Sequence, residues 1–208
     1  MNVDFYFDPS CPFCWVTSRW LLMSKNKRDI NINWHLFSLA IKNKEIGTDK
    51  NKGNFNHIPA HRVERVMLAA SKDGIDLLKM YTAFGIRHFI SGDEYDDGVI
   101  KTVLNQLELD AKYADFADDG SLDDELNRST QQAVDTVGQD IGVPTIVFNL
   151  ENGERRGFFG PVMQALPDVD ESVELWDGLS KLANNSNFYE LKRGRSNGGP
   201  DVFSTAKC

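Results

Sequence analysis

The chain predicts an α/β protein interrupted by an all-helical insertion. Three observations carry that class. Residues 3–38 follow a strand–helix–strand pattern, residues 57–139 show only helical periodicity, and residues 144–183 return to two short strands and a helix. A period of two marks strands and a period near 3.6 marks helices.

The first strand is the apolar run at residues 3–7. A helix over about residues 12–27 follows, with Val16, Trp20 and Met23 at i, i+4 and i+7. Residues 30–38 then alternate. Ile30, Ile32, Trp34 and Leu36 share one face, and Asn31, Asn33 and His35 share the other. The crossover is long enough to make the two strands parallel neighbours.

The middle block carries four apolar stripes. They are Val63, Val66, Met67 and Ala70; Leu77, Met80, Tyr81, Phe84 and His88; Ile100, Val103, Leu104 and Leu107; and Leu122, Leu126, Ala133 and Val137. Ser121 with Asp124 three residues on reads as the cap of the last. Acidic stretches at 93–97 and 118–120 read as loops and helix starts. In the third block, residues 144–148 form a strand and Asn152-Gly153 a turn. Residues 154–159 return as its partner, and a helix spans about 168–183. The Gly-rich tail beyond Lys192 is expected to be mobile. The expected domains are therefore 1–50 with 140–208, and 51–139 as the helical insertion.

With 41% hydrophobic and 26% charged residues the composition is that of a globular protein. The net charge of −8 argues against nucleic acid or an anionic membrane as partner. Lys42, Lys44, Lys50 and Lys52 read as a solvated polar loop. No run of about 18 apolar residues exists to span a bilayer. The first eight residues do not read as a signal peptide, so a cytoplasmic location is expected. There, paired cysteines are more often catalytic than structural.

Two of the three cysteines stand in Cys11-Pro12-Phe13-Cys14, between the first strand and the first helix. A helix N-terminus offers partial positive charge and free N–H groups, which favour a thiolate. The thiolate is the nucleophile, and Cys14 lies one turn on, on the same helical face. Two cysteines at this spacing can also be half a zinc site or two inert core residues. A zinc site needs about four ligands. His57 and His61 have helical spacing, but no nearby residue completes a set, and no metal is expected.

Cys-x-x-Cys after the first strand of a βαβ unit reads as a thioredoxin-like redox motif, and removing the middle block leaves the βαβ plus ββα order of that fold. Such folds set a cis proline before a strand beside the thiols. Val143-Pro144-Thr145 is the candidate, favoured over a trans proline opening an edge strand. A cis proline here would leave the residue-143 backbone extended beside the thiols for a substrate to pair with. The expected groove residues are Pro12, Phe13, Trp15, Val143, Pro144 and Thr145. Trp15 either lines the groove or packs in the helix, and Asp8 either relays protons or caps the turn before Cys11. His35 and His88 carry no assigned role. Cys208 is expected to be exposed and dispensable.

These residues resemble the DsbA-like and FrnE-like thioredoxin-fold oxidoreductases, and within them the actinobacterial mycothiol-dependent nitroreductases. The likeness runs through Phe7-Asp8-Pro9, Cys11-Pro12-Phe13-Cys14-Trp15 and Thr17-Ser18-Arg19-Trp20. It continues through Ser38-Leu39-Ala40, Tyr81-Thr82-Ala83, Val137-Gly138, Asp140-Ile141-Gly142-Val143-Pro144-Thr145, Phe159-Gly160-Pro161 and Glu190-Leu191-Lys192-Arg193. It departs at Phe13, where the family pattern leads one to expect Trp, and at Val143, where it leads one to expect Gly.

The resemblance implies a Cys11–Cys14 dithiol reduced by a low-molecular-weight thiol such as mycothiol. No cofactor is expected to bind tightly, and no nucleotide fingerprint is present. The electrons would pass to a disulfide or an electrophile such as a nitro compound. With Phe13 rather than a His between the cysteines, the expected potential is more reducing than that of DsbA, at about −200 to −270 mV. Two rivals share the fold: a glutathione-transferase or 2-hydroxychromene-2-carboxylate-isomerase activity, and a non-enzymatic, chaperone-like binder. The oligomeric state stays open between monomer and homodimer.

Overall fold

The computed structural model describes residues 1–47, 56–194 and 198–206. Lys50, Lys52 and Cys208 lie outside them. The chain divides into two compact units. The first holds residues 1–6, 11–35 and 133–208, and the second holds 7–10 and 36–132. Within the second unit, Ser129 Oγ donates to Leu36 O (2.6 Å) and Ser38 N–H to Thr130 Oγ1 (3.0 Å).

The first unit is built on a four-stranded sheet ordered β2-β1-β3-β4. Its strands are β1 (Asn2–Phe7), β2 (Asn31–Leu36), β3 (Thr145–Asn149) and β4 (Arg155–Phe159). Asn31 N–H donates to Met1 O (2.9 Å) and Phe37 N–H to Phe7 O (2.8 Å). These bonds advance in step along both strands, so β2 runs parallel to β1, as the crossover requires. β3 runs antiparallel to both β1 and β4. Helices α1 (Pro12–Lys25) and α7 (Val169–Asn184) belong to the same unit. Trp20 Nε1 and Ser24 Oγ both donate to Ser172 O, at 3.0 and 3.1 Å. The Trp176 ring lies between Trp20 and Phe148, at centroid distances of 6.1 and 5.7 Å. These aromatics are buried with Val3, Phe5, Val16 and Ile146. Gly157 admits a close approach: a Cβ there would stand 2.4 Å from Val137 Cγ2 and 2.9 Å from Val147 Cγ2.

The second unit contains the short helix α2 (Leu39–Lys42), then α3 (Ile58–Lys72), α4 (Leu77–Gly85) and α5 (Asp97–Gln106). Helix α6 (Asp123–Val137) begins here and ends in the first unit. The acidic residues act at helix starts. Asp76 accepts Leu78 N–H and Asp96 accepts Val99 N–H, both at 2.8 Å, which satisfies otherwise orphaned donors.

Three readings need correction. Ser121 does not cap α6. It sits in a 3₁₀ turn (Gly120–Leu122), where Asp119 accepts its N–H and its O–H, each at 2.9 Å, and α6 starts at Asp123. A 3₁₀ segment over Ala111–Asp118 was not foreseen, because its two buried residues, Tyr113 and Ala117, are too few to make a stripe. The tail is not loose throughout: residues 198–206 return to the first unit, with Asp201 N–H on Gln164 O (2.6 Å) and a 3₁₀ turn at Val202–Thr205.

Candidate active site

Cys11 is the N-cap of α1, with φ −83° and ψ 110°, and Pro12 occupies the first turn, where no N–H is needed. Its Sγ accepts the Cys14 N–H at 3.4 Å, the role a Ser or Asp oxygen usually plays at this position. Both cysteines are free. Cys11 keeps 8% of its surface exposed, while Cys14 has none. Cys11 is therefore the outer residue of the pair and Cys14 the inner one.

Opposite the thiols lies the turn into β3. The Cys11 S–H donates to Val143 O at 3.5 Å. The Val143–Pro144 peptide bond is cis, as is Gly160–Pro161. Thr145 is fully buried, with its hydroxyl on Gly142 O (2.8 Å), and Gly160 N–H donates to Pro144 O (2.7 Å). Thr17 of α1 donates to Pro161 O at 2.7 Å, which ties the helix to the second of these turns. Pro12 and Phe13 are half-buried.

Trp15 belongs to the packing. It is 2% exposed, its Nε1 donates to Thr205 Oγ1 at 2.8 Å, and the Arg19 guanidinium lies 4.3 Å from its ring centroid. Of its two readings, the packed helix aromatic is the one its surroundings describe. Nothing in the Gly-rich tail signalled Thr205 as its partner. A buried indole N–H needs an acceptor, and that need was the available clue.

Asp8 is fully buried in the second unit. Its Oδ1 accepts the Ser10 N–H (2.8 Å) and O–H (2.6 Å), and its Oδ2 accepts the Leu39 N–H (2.8 Å). This is the capping arrangement, one residue short of Cys11. Burial pushes its pKa up, and the three donors oppose that. His35 stacks on Tyr6 at 4.8 Å, while His88 stacks on Tyr95 at 4.4 Å and contacts Asp93 O through Nδ1 (2.8 Å). Sequence reasoning missed a buried group around Ser38, His61, Glu64 and Asp123. Its one sequence mark is the helical spacing of His61 and Glu64.

A dithiol at the head of the helix after the first strand, beside a cis proline on a β2-β1-β3-β4 sheet, defines a thioredoxin-like fold with a helical insertion. Solved structures carry the same fold. The probable DsbA oxidoreductase SCO1869 from Streptomyces coelicolor superposes with TM-score 0.60 at 17% identity, covering 97% of each chain. The cytosolic disulfide reductase DsbM from Pseudomonas aeruginosa does so with TM-score 0.58 at 16% identity, covering 88% of this chain and 100% of its own. The chain belongs to the Rv2466c-like family, that of the mycothiol-dependent nitroreductase Rv2466c, whose profile matches residues 10–193. It is also 30% identical over 198 residues to the uncharacterised protein Rv2286c of Mycobacterium tuberculosis strain H37Rv, across 94% of this chain and 83% of that one. Family and fold make it a thiol-dependent oxidoreductase. Among the described residues, no helix is long and apolar enough to cross a membrane.

Proposed function

We propose that the protein is a cytoplasmic thiol–disulfide oxidoreductase that takes electrons from a low-molecular-weight thiol of the mycothiol kind. It delivers them to disulfides or to electrophiles such as nitro compounds. The observation that carries this reading is Cys11 itself, which keeps a small exposed surface, caps α1 and accepts the Cys14 N–H on its sulfur beside the Val143 carbonyl.

In the oxidised protein, a thiolate of the reductant attacks Cys11 Sγ. The Cys11–Cys14 bond breaks, Cys14 leaves and takes up a proton, and a mixed disulfide remains on Cys11. A second reductant thiolate attacks the reductant's sulfur in that mixed disulfide. It releases the oxidised reductant as its disulfide and restores the dithiol. The dithiol then gives two electrons and two protons to the acceptor. With a disulfide, the Cys11 thiolate attacks and one thiol departs. Cys14 then attacks Cys11 and expels the second. The Val143 backbone, with Pro144 and Thr145 behind it and Pro12 and Phe13 on the helix side, borders the Cys11 sulfur. The domain reading, 1–50 with 140–208 around an inserted 51–139, is part of the same proposal.

The test is substitution. Cys11→Ser is expected to abolish turnover with mycothiol and with glutathione as reductants. Cys14→Ser is expected to accumulate the mixed disulfide, read by mass spectrometry. Turnover by the Cys11→Ser protein would sink the assignment.

A further inference from the structure

The buried polar group of the second unit takes no part in the chemistry above. Asp8 and Glu64 are both without solvent exposure. Three donors converge on Asp8, two on Oδ1 and one on Oδ2, so every contact it makes suits a carboxylate. Glu64 is served more poorly. Its Oε2 lies 3.1 Å from His61 Nδ1, the Ser38 hydroxyl beside that ring nitrogen (2.9 Å) is also within reach of its carboxyl group, its Oε1 is buried with no donor, and Asp8 stands within hydrogen-bonding range.

Two buried carboxyl groups in contact cannot both stay ionised. A proton on Glu64 turns an orphaned acceptor into a donor. The lone pair still open on Asp8 Oδ2 can receive it. Placing the proton on Asp8 instead would waste three donors.

The surrounding charges agree. Asp123 is held ionised by Arg65, which grips it through Nε and Nη2 at 2.7 Å each, and it lies 3.1 Å from His61 Nε2. Burial and the nearby Arg65 hold His61 towards the neutral form, so it offers Glu64 no lasting cation. His57 favours the charge on Asp8, and burial keeps Tyr95, whose hydroxyl donates to Pro9 O at 3.1 Å, a neutral phenol. Burial raises the pKa of Glu64 well above the usual carboxyl range, the Asp8 and Asp123 charges add to that, and a hydrogen bond from Ser38 opposes it without reversing it.

We propose that Glu64 is a positioning residue for Cys11: a neutral acid that donates to the Asp8 carboxylate and so holds the turn at Ser10, the residue joined to Cys11. Its activity readout rests on the thiol chemistry proposed above, and its proton readout does not. The proton is bound below the usual carboxyl range and stays bound until the pH passes the raised value, so support for the turn is lost on the alkaline side.

The experiment uses the full chain. Infrared spectra of the wild type at neutral pH are expected to contain the C=O stretch of a protonated carboxylic acid. That band should fade as pH rises and be missing from Glu64→Gln. Reduction of the oxidised protein by glutathione is followed in parallel. Glu64→Gln keeps a donor for Asp8 and should retain the wild-type rate within about threefold, with a ratio to wild type that rises with pH. Glu64→Ala should be slower by about 10- to 100-fold, the scale of misplaced reacting groups. Absence of the band in the wild type, its persistence in Glu64→Gln, or a wild-type rate in Glu64→Ala each overturns the proposal. If Glu64→Ala does not fold, the infrared band and the pH profile of Glu64→Gln decide. If glutathione leaves the wild-type disulfide intact, the choice of thiol fails, and the infrared result still decides the proton.

Discussion

Replacing Thr205 by Val removes one hydroxyl and keeps the shape of the side chain. In the wild type that hydroxyl accepts the Trp15 Nε1–H at 2.8 Å and donates to Val202 O at 2.6 Å. Both Trp15 and Thr205 are almost fully buried, at 2% and 3% exposure, so water cannot replace the lost acceptor. A buried donor left without a partner costs about 1–3 kcal/mol, more than the net worth of the bond itself. Thr205→Val should therefore destabilise the first unit by about 2 kcal/mol. At a urea slope of about 2–3 kcal/mol/M this lowers the midpoint by about 0.7–1 M. All four tryptophans, at 15, 20, 34 and 176, lie in the first unit, so intrinsic fluorescence reports its unfolding selectively. Trp15→Phe removes the donor. The double variant should then be less damaged than the sum of the singles, with a coupling of about 0.5–3 kcal/mol. A midpoint unchanged in Thr205→Val, or strict additivity in the cycle, would refute the claim that this bond latches the tail to the active-site helix.

Two further outcomes are expected. Gly157→Ala places a methyl group against Val137 and Val147 and should cost about 1–3 kcal/mol by overpacking, with Val137→Ala in the same chain restoring much of it, read by urea unfolding. Burial alone would raise the pKa of Asp4, but hydrogen bonds with His35, Asn33 and Asn149 hold it well below the usual carboxylate range. Its stabilising contribution is then present above the unfolded pKa of about 3.8 and is lost as pH falls further, so Asp4→Asn should flatten the acid limb of the stability–pH curve below about pH 4.

The alternation of Ile30, Ile32, Trp34 and Leu36 announced a strand because burial on one face demands it. The stripes of α3, α4 and α5 were legible for the same reason at helical period. Cys11 and Cys14 were legible because two thiols at a strand-to-helix junction have few other uses. The parts that stayed hidden depend on partners distant along the chain. Ser121 looked like a cap because its local pattern fits one, yet Asp119 takes both its N–H and its O–H. The tail looked loose because its composition is Gly-rich, yet Thr205 meets an indole 190 residues away.

The amino-acid order alone determined the class of fold and marked the cysteine pair at the strand-to-helix junction and the proline ahead of the third strand, since each rests on periodicity or on spacing within a few residues. Only the folded chain decided which cysteine is the outer one, that Trp15 is packed rather than presented, and that Asp8 is buried beneath the Leu39 N–H. Those depend on burial and on hydrogen-bond partners. Both are set when segments far apart in sequence compete for the same interior, where an unpaired polar group costs more than the bond that would satisfy it.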